Sequence, residues 1–188
     1  MIDALAAQDP PSALAPRAAR RDAPRDALGA AGVDAAPVAA LLAPDEPMRA
    51  VVVDDEPRLR QLLVRVLARD GFECRDAADG GDALALLDEW PAPLVLSDLR
   101  MPGVGGVELL LRARARHPGT AVVIVTAVAD VDVAVRCLAM GAADYLTKPF
   151  QLEEVRARVR QALSRRRLEM DNRAYQRALE ARVAEQAG

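Results

Sequence analysis

The sequence predicts an α/β fold built on a doubly wound parallel sheet, and three observations predict it. Short apolar runs without polar interruption recur along the chain, at Val51-Val52-Val53, Leu94-Val95-Leu96 and Ala121 to Val125, with a shorter one at Tyr145-Leu146. Strands covered by helices on both faces read this way, whereas a half-exposed strand alternates. Between the runs lie segments with apolar residues at helical spacing, joined by short links, which is the pattern of successive β-α units. Finally, chemically active residues close the runs: Asp54 and Asp55 after the first, Asp98 after the second, Thr126 after the third, and Lys148-Pro149 after the fourth. In an open α/β sheet, ligands bind beyond the carboxyl ends of the strands.

The elements follow in order. A strand at Arg49 to Val53 leads into a helix from Pro57 to Arg69, with Pro57 suited to a first-turn position and Leu59, Leu62, Leu63, Val66 and Leu67 on one face. Gly71 breaks it. A short strand at Glu73 to Ala77 precedes a helix from Gly81 to Glu89, which stops before Pro91. The strand Leu94 to Asp98, the loop Arg100 to Gly106 and a helix from Val107 to His117 come next, ended by Pro118-Gly119. The strand Ala121 to Thr126 precedes a helix from Asp130 to Met140, closed by Gly141; the last strand, Asp144 to Thr147, precedes a helix that begins near Leu152.

That helix meets no Pro or Gly before the terminal Gly188. Leu168, Asn172, Tyr175 and Leu179 repeat in alternating steps of four and three residues, as a coiled-coil seam does, with Asn172 as a register-setting polar residue. Three readings of residues 164–188 stay open: a short coiled coil joining a homodimer, a signalling helix leading elsewhere, or a helix packed on its own domain. At the other end, residues 1–47 are rich in Ala, Pro, Arg and Asp and poor in aromatic and β-branched residues. Such a segment buries too little apolar surface to offset its ordering entropy, so a disordered leader is expected, with helical turns around Val33 to Leu42. The domain proper is expected over residues 48–163.

The totals narrow the function. With 25 basic and 28 acidic side chains the net charge is -3 and the pI about 5.3, which gives no electrostatic case for nucleic acid or an anionic membrane. No apolar stretch is long enough to span a bilayer, and no basic-then-apolar signal opens the chain. Cys74 and Cys137 are far apart and fit apolar packing in a reducing cytoplasm, the expected location, better than a disulfide. His117, the one histidine, precedes Pro118 and reads as a helix-end residue; Trp90 beside Pro91 reads as loop packing. The Arg165-Arg166-Arg167 run reads as a solvated helical face, since Glu169 and Asp171 dilute it.

The strand-end residues suit one chemistry. Magnesium takes near-octahedral oxygen ligands, keeping waters while binding one or two carboxylates and a substrate phosphate. Asp54, Asp55 and Asp98 offer such oxygens, and a carboxylate can itself attack phosphorus to give an aspartyl phosphate. Clustered carboxylates repel phosphate unless a cation inverts the local field. Lys148 adds a positive charge and Thr126 a hydroxyl, and phosphoryl transfer needs mainly this positioning and neutralisation.

Asp54-Asp55, Asp98 within Ser97-Asp98-Leu99-Arg100-Met101-Pro102, Thr126-Ala127 and Tyr145-Leu146-Thr147-Lys148-Pro149-Phe150 together resemble the receiver domain of bacterial two-component response regulators, over about residues 49 to 165. The resemblance implies a flavodoxin-like sheet of five parallel strands in the order 2-1-3-4-5. It implies that Asp98 accepts a phosphoryl group from a sensor histidine kinase or phosphotransfer protein. Asp54 and Asp55 would hold Mg²⁺ with Asp98 and the backbone carbonyl of Arg100. Thr126 and Lys148 would contact the phosphoryl group, Tyr145 would turn inward behind Thr126, and Lys148-Pro149 would be cis. Arg100 and Val128 would influence phosphoryl lifetime by shielding or admitting water. Gly105 stands where many relatives carry an acidic residue, which bears on loop rigidity.

The chain therefore reads as a phosphorylation-controlled switch with a helical extension, not as an enzyme, and with no effector domain following. Three other functions compete. An aspartate-based phosphohydrolase would show Asp-x-Asp on the first strand and a cap. The receiver part of a larger HD-type cyclic-dinucleotide phosphodiesterase would continue into a His-Asp motif. A phosphorylation-independent scaffold would ignore replacement of Asp98.

Overall fold

The computed structural model describes residues 37–186. Five strands, β1 (Arg49–Val53), β2 (Glu73–Ala77), β3 (Leu94–Asp98), β4 (Ala121–Ala127) and β5 (Asp144–Lys148), alternate with five helices, α1 (Pro57–Arg69), α2 (Gly80–Glu89), α3 (Gly106–Arg116), α4 (Val131–Ala139) and α5 (Leu152–Gln186). Every strand pairing is parallel and the order is β2-β1-β3-β4-β5, as expected.

The unbroken apolar runs resolve into two faces once they are paired. Val51, Val53, Val95, Val122 and Ile124 point toward α2, α3 and α4, where they meet Leu84, Leu87, Leu109, Leu110, Ala134 and Cys137. Ala50, Val52, Leu94, Leu96, Val123, Val125 and Leu146 point the other way, toward Leu63, Val66 and Leu67 of α1 and Val155, Val159 and Leu163 of α5. Each strand thus supplies both cores by its two-residue period. The edge strand β2 shows Glu73, Arg75 and Asp76 to solvent, and charges on an edge discourage pairing with another chain.

Local chemistry sets the helix ends. Pro57 occupies the first turn of α1. The Asp79 carboxylate accepts from the amides of Gly81 (2.7 Å) and Asp82 (3.0 Å), capping α2 one residue earlier than the sequence predicts. Gly71 and Gly141 end α1 and α4 with positive φ (96° and 101°), a region that costs glycine little. A 3-10 turn, Val128–Asp130, intervenes between β4 and α4. His117 closes α3 with Nε2 2.8 Å from Asp88, and the Lys148-Pro149 bond is cis. Trp90 is buried, with the guanidinium groups of Arg49 and Arg75 over its ring at 4.8 and 4.6 Å from the centre. Cys137 is buried in the core, and the half-buried Cys74 thiol is pushed up to about 11 by burial and by the charge of Glu73.

Part of the expected leader is built into the domain. Residues 1–36 lie outside the described residues, but residues 37–47 form a 3-10 turn (Val38–Leu41) and place Leu42 in the α1/α5 core. Glu46 then pairs with both terminal nitrogens of Arg166, whose Nε donates to the Gly119 carbonyl. Arg167 donates to the carbonyl of Ala40. Composition does not reveal this, because the segment needs only one large apolar residue and one carboxylate to dock. The Arg165–Arg167 run is accordingly not all solvated face: Arg166 is only 7% exposed. Beyond it α5 continues as one unbroken helix, with Leu168, Tyr175, Leu179 and Val183 exposed.

Candidate functional site

The order 2-1-3-4-5 reverses direction between β1 and β3, and this is where a crevice opens at the carboxyl ends of strands. Asp54 and Asp55 follow β1 and Asp98 ends β3, so the switch point brings carboxylates 44 residues apart in sequence to neighbouring strands, where Val53 pairs with Ser97. Asp55, Asp98, Leu99, Arg100, Ala127, Asp130 and Lys148 line a cleft of about 230 Å³ there.

Lys148 organises its floor. Its Nζ donates to Asp98 Oδ1 at 2.5 Å and to Asp54 Oδ2 at 3.1 Å, linking β5 to residues 50 and 94 positions away. It is also the sole lysine of the chain; every other basic side chain of the Lys/Arg set is Arg. Burial alone would lower its pKa, but the hydrogen bonds and charges of Asp98 and Asp54 outweigh that and hold the ammonium above its ordinary range. Burial raises Asp98, opposed by the hydrogen bond and charge of Lys148 and by the Arg100 amide, which donates to Asp98 Oδ2 at 2.8 Å. Burial thus favours the neutral carboxyl, and any further cation brought into the cleft would favour the charged form.

The remaining residues have distinct places. Asp54 is buried, and its Oδ1 accepts from the Glu56 amide at 2.8 Å. Asp55 is exposed at the rim. Thr126 is fully buried on β4, one position beyond the partner of Asp98, and donates to the Ala127 carbonyl at 3.2 Å. Tyr145, half-buried on β5, packs against the α2/α3/α4 core. The structure therefore joins Asp54, Asp98 and Lys148 directly, sets Asp55 and the Arg100 backbone on the same cleft, and keeps Thr126 and Tyr145 one layer away.

Hard oxygen donors facing one cleft suit a divalent cation such as Mg²⁺ better than a soft metal. Among the described residues no three His, Cys, Asp or Glu side chains are gathered tightly enough to hold a metal by themselves. A cation that completes its shell with water and a backbone carbonyl fits this set.

Three supporting features escape a reading of the sequence. Arg60 on α1 donates to the Asp54 carbonyl at 2.6 Å and to Asp76 at 2.7 Å, bracing the acidic loop. Its signal was a basic residue in a helix's first turn, against the dipole. Gly106 packs under Asp98: a Cβ there would collide with the Asp98 carbonyl oxygen and lie 2.9 Å from Leu99 Cα. Arg100 reaches across the mouth of the cleft to Asp130, its Nε 2.6 Å from Oδ2 and its Nη2 on Oδ1. A wider depression of about 310 Å³ at the opposite end of the strands, near Arg49, His117 and Arg166, has these three groups paired with Glu73, Asp88 and Glu46.

Residues 50–160 match the family model of the response regulator receiver domain. The chain belongs to that family. The receiver shares 43% identity with the DNA-binding transcriptional regulator NtrC of Salmonella typhimurium over 113 residues, which are 60% of this chain and 24% of that one. It shares 42% with the transcriptional regulatory protein TcrA of Mycobacterium tuberculosis over 119 residues, 63% of this chain and 47% of that one. Among solved structures, a response regulator receiver domain protein from Clostridium thermocellum superposes with a TM-score of 0.60 at 29% identity, covering 64% of this chain and 97% of that one. NtrX from Brucella abortus gives 0.64 at 29%, covering 69% and 30%. The chain thus spans about a quarter of the NtrC it matches. Receiver domains of response regulators are phosphorylated by histidine kinases. No helix among the described residues is long and apolar enough to cross a membrane.

Proposed function

We propose that this receiver is a phosphorylation-controlled protein switch in which Asp98 is the phosphoacceptor. The observation that carries the reading is the double contact of Lys148 with Asp98 and Asp54 in a cleft at the sheet's switch point. An Asp98 carboxylate oxygen attacks the phosphorus of a sensor kinase or phosphotransfer protein's phosphohistidine. An O–P bond forms, the P–N bond breaks, and the histidine nitrogen keeps the electron pair and takes up a proton. Asp54, Asp55, Asp98 and the Arg100 carbonyl would hold Mg²⁺, which when bound neutralises phosphoryl charge. Lys148 contacts a phosphoryl oxygen. The Thr126 hydroxyl leaves the Ala127 carbonyl to donate to the phosphoryl group, and Tyr145 repacks behind it, so that contacts differ between the two states as any population shift requires.

The chain itself turns over no small substrate and works in the cytoplasm, with the α4–β5–α5 surface meeting an unassigned protein partner and α5 meeting a second copy. Neither nucleic acid nor membrane is a partner of these residues. The test is uptake of phosphate from acetyl phosphate with Mg²⁺, read by intact mass. A gain of one phosphoryl group, lost on replacing Mg²⁺ by EDTA and absent in Asp98→Asn, is expected. Undiminished uptake by Asp98→Asn overturns the assignment, and steady release of phosphate from small phosphate esters would instead favour a phosphohydrolase.

A further inference from the structure

We infer that Arg100 and Asp130 form an exchange switch: the resting Arg100–Asp130 ion pair withholds Asp130 from the N-terminus of α4, and a phosphoryl group on Asp98 takes Arg100 away, so that Asp130 caps α4. The inference rests on Asp98 being the phosphoacceptor.

The resting arrangement has two parts. Arg100 holds the acceptor with its backbone and Asp130 with its side chain, since its amide donates to Asp98 Oδ2 at 2.8 Å while its guanidinium grips both Asp130 oxygens. The Arg100 side chain is 73% exposed over the cleft that both residues line. Asp130, meanwhile, stands at the N-cap of α4, a position where an Asp carboxylate normally accepts from the amides two or three residues on. Here it makes no such bond. Its backbone (φ -110°, ψ 12°) belongs to the 3-10 turn rather than to the extended conformation an N-cap adopts. A residue suited to cap the helix is diverted to a cation: the Val131 amide donates to the Val128 carbonyl of the 3-10 turn, and the first turn of α4 has no side-chain cap.

Phosphorylation reverses the preference. A phosphoryl group offers a guanidinium three oxygens and up to two negative charges, a stronger bidentate partner than one carboxylate. It also repels Asp130 from the shared cleft. Both effects act in one direction: Arg100 turns to the phosphoryl group, Asp130 swings out, ψ moves into the extended range, and the Val128–Asp130 turn opens as α4 gains its cap. The charge event at β3 thereby reaches α4 without passing through Thr126 or Tyr145. Arg100 and Asp130 are positioning residues in this scheme, coupling the acceptor to a surface helix.

Amide hydrogen exchange of the full chain, read residue by residue by NMR, tests the scheme with beryllofluoride and Mg²⁺ as the phosphoryl mimic. In the native protein, the amides of Asp132 and Val133 should exchange roughly fivefold more slowly with beryllofluoride, the size a single helix cap supplies. Asp130→Asn keeps a good capping side chain and loses the ion pair, so those amides should already be protected without beryllofluoride; Arg100→Ala should do the same. Asp130→Ala should bind beryllofluoride yet gain no protection. If Arg100→Ala and Asp130→Asn exchange like the native protein without the mimic, or if Asp130→Ala is protected with it, the switch is overturned. A native protein whose amides around Asp98 do not respond to beryllofluoride would instead refute the acceptor assignment, while the comparison made without the mimic still decides the release of Asp130.

Discussion

Lys148 shows how much one side chain carries here. Its charge answers two carboxylates from different strands, and its raised pKa is the balance of burial against those partners. Replacing Asp98 by Asn removes a raising contribution and leaves the burial penalty, so the Lys148 pKa must fall. Because this is the sole lysine, reductive ¹³C-methylation labels it beside the N-terminal amine alone, and NMR titration reads the shift directly. An unchanged or higher pKa in Asp98→Asn would mean that Lys148 faces elsewhere in solution. Gly106 is the steric counterpart. Its Cβ would meet the backbone of Asp98 and Leu99, atoms that cannot swing aside like a side-chain tip. Gly106→Ala should cost about 1–3 kcal/mol in urea unfolding, the usual range for overpacking. It should also slow phosphorylation by shifting Asp98, whereas full native stability would show that the loop yields freely.

At the scale of elements, what the sequence discloses depends on whether a residue's role repeats. The strands were legible because burial on both faces forces runs such as Val51-Val52-Val53, and their ends located Asp54, Asp98 and Lys148. The start of α2 at Gly80 escapes periodicity because it is set by the Asp79 side chain, which caps the helix without repeating. Arg60, Gly106 and the Arg100–Asp130 pair are hidden for the same reason: each rests on single contacts that no repeat in the sequence announces. The docking of residues 37–47 on α5 is the extreme case, resting on Leu42 and on Glu46, 120 positions from Arg166. Removing the Glu46 carboxylate leaves a buried guanidinium with the Gly119 carbonyl as its one remaining partner among the described residues. Glu46→Ala should therefore destabilise the domain by about 2–3 kcal/mol, below the 3–5 of a fully buried pair because the Glu46 side chain keeps 20% exposure. Urea unfolding measures the cost, and a change within about 0.5 kcal/mol, the range of ordinary surface substitutions, would make the strap a passive contact.

At the scale of the whole molecule, the far half of α5 carries an apolar stripe that the domain leaves exposed. Up to Arg167 the helix is held by the sheet and the strap; past it, among the described residues, Arg173 donates to the Pro118 carbonyl at 3.0 Å. Leu168, Tyr175, Leu179 and Val183 then face solvent at intervals of seven, four and four, which keeps them on one side of the helix. A single exposed helix gains nothing from such a stripe, whereas two copies side by side bury it with Asn172 setting the register. The stripe spans little more than two heptads, and short helices of that length are marginal alone, so association should be weak and depend on concentration. Light scattering of the full chain should give a mass that climbs from monomer toward dimer as concentration rises. Leu179→Lys should remain monomeric over the same range with unchanged thermal stability, since Leu179 belongs to neither buried core. If beryllofluoride with Mg²⁺ shifts the native midpoint, the cleft and the tail are coupled, and the same addition should leave Asp98→Asn where it was. A native mass that stays monomeric at every concentration would remove the second copy as the stripe's occupant and leave α5 as a lever to some other chain.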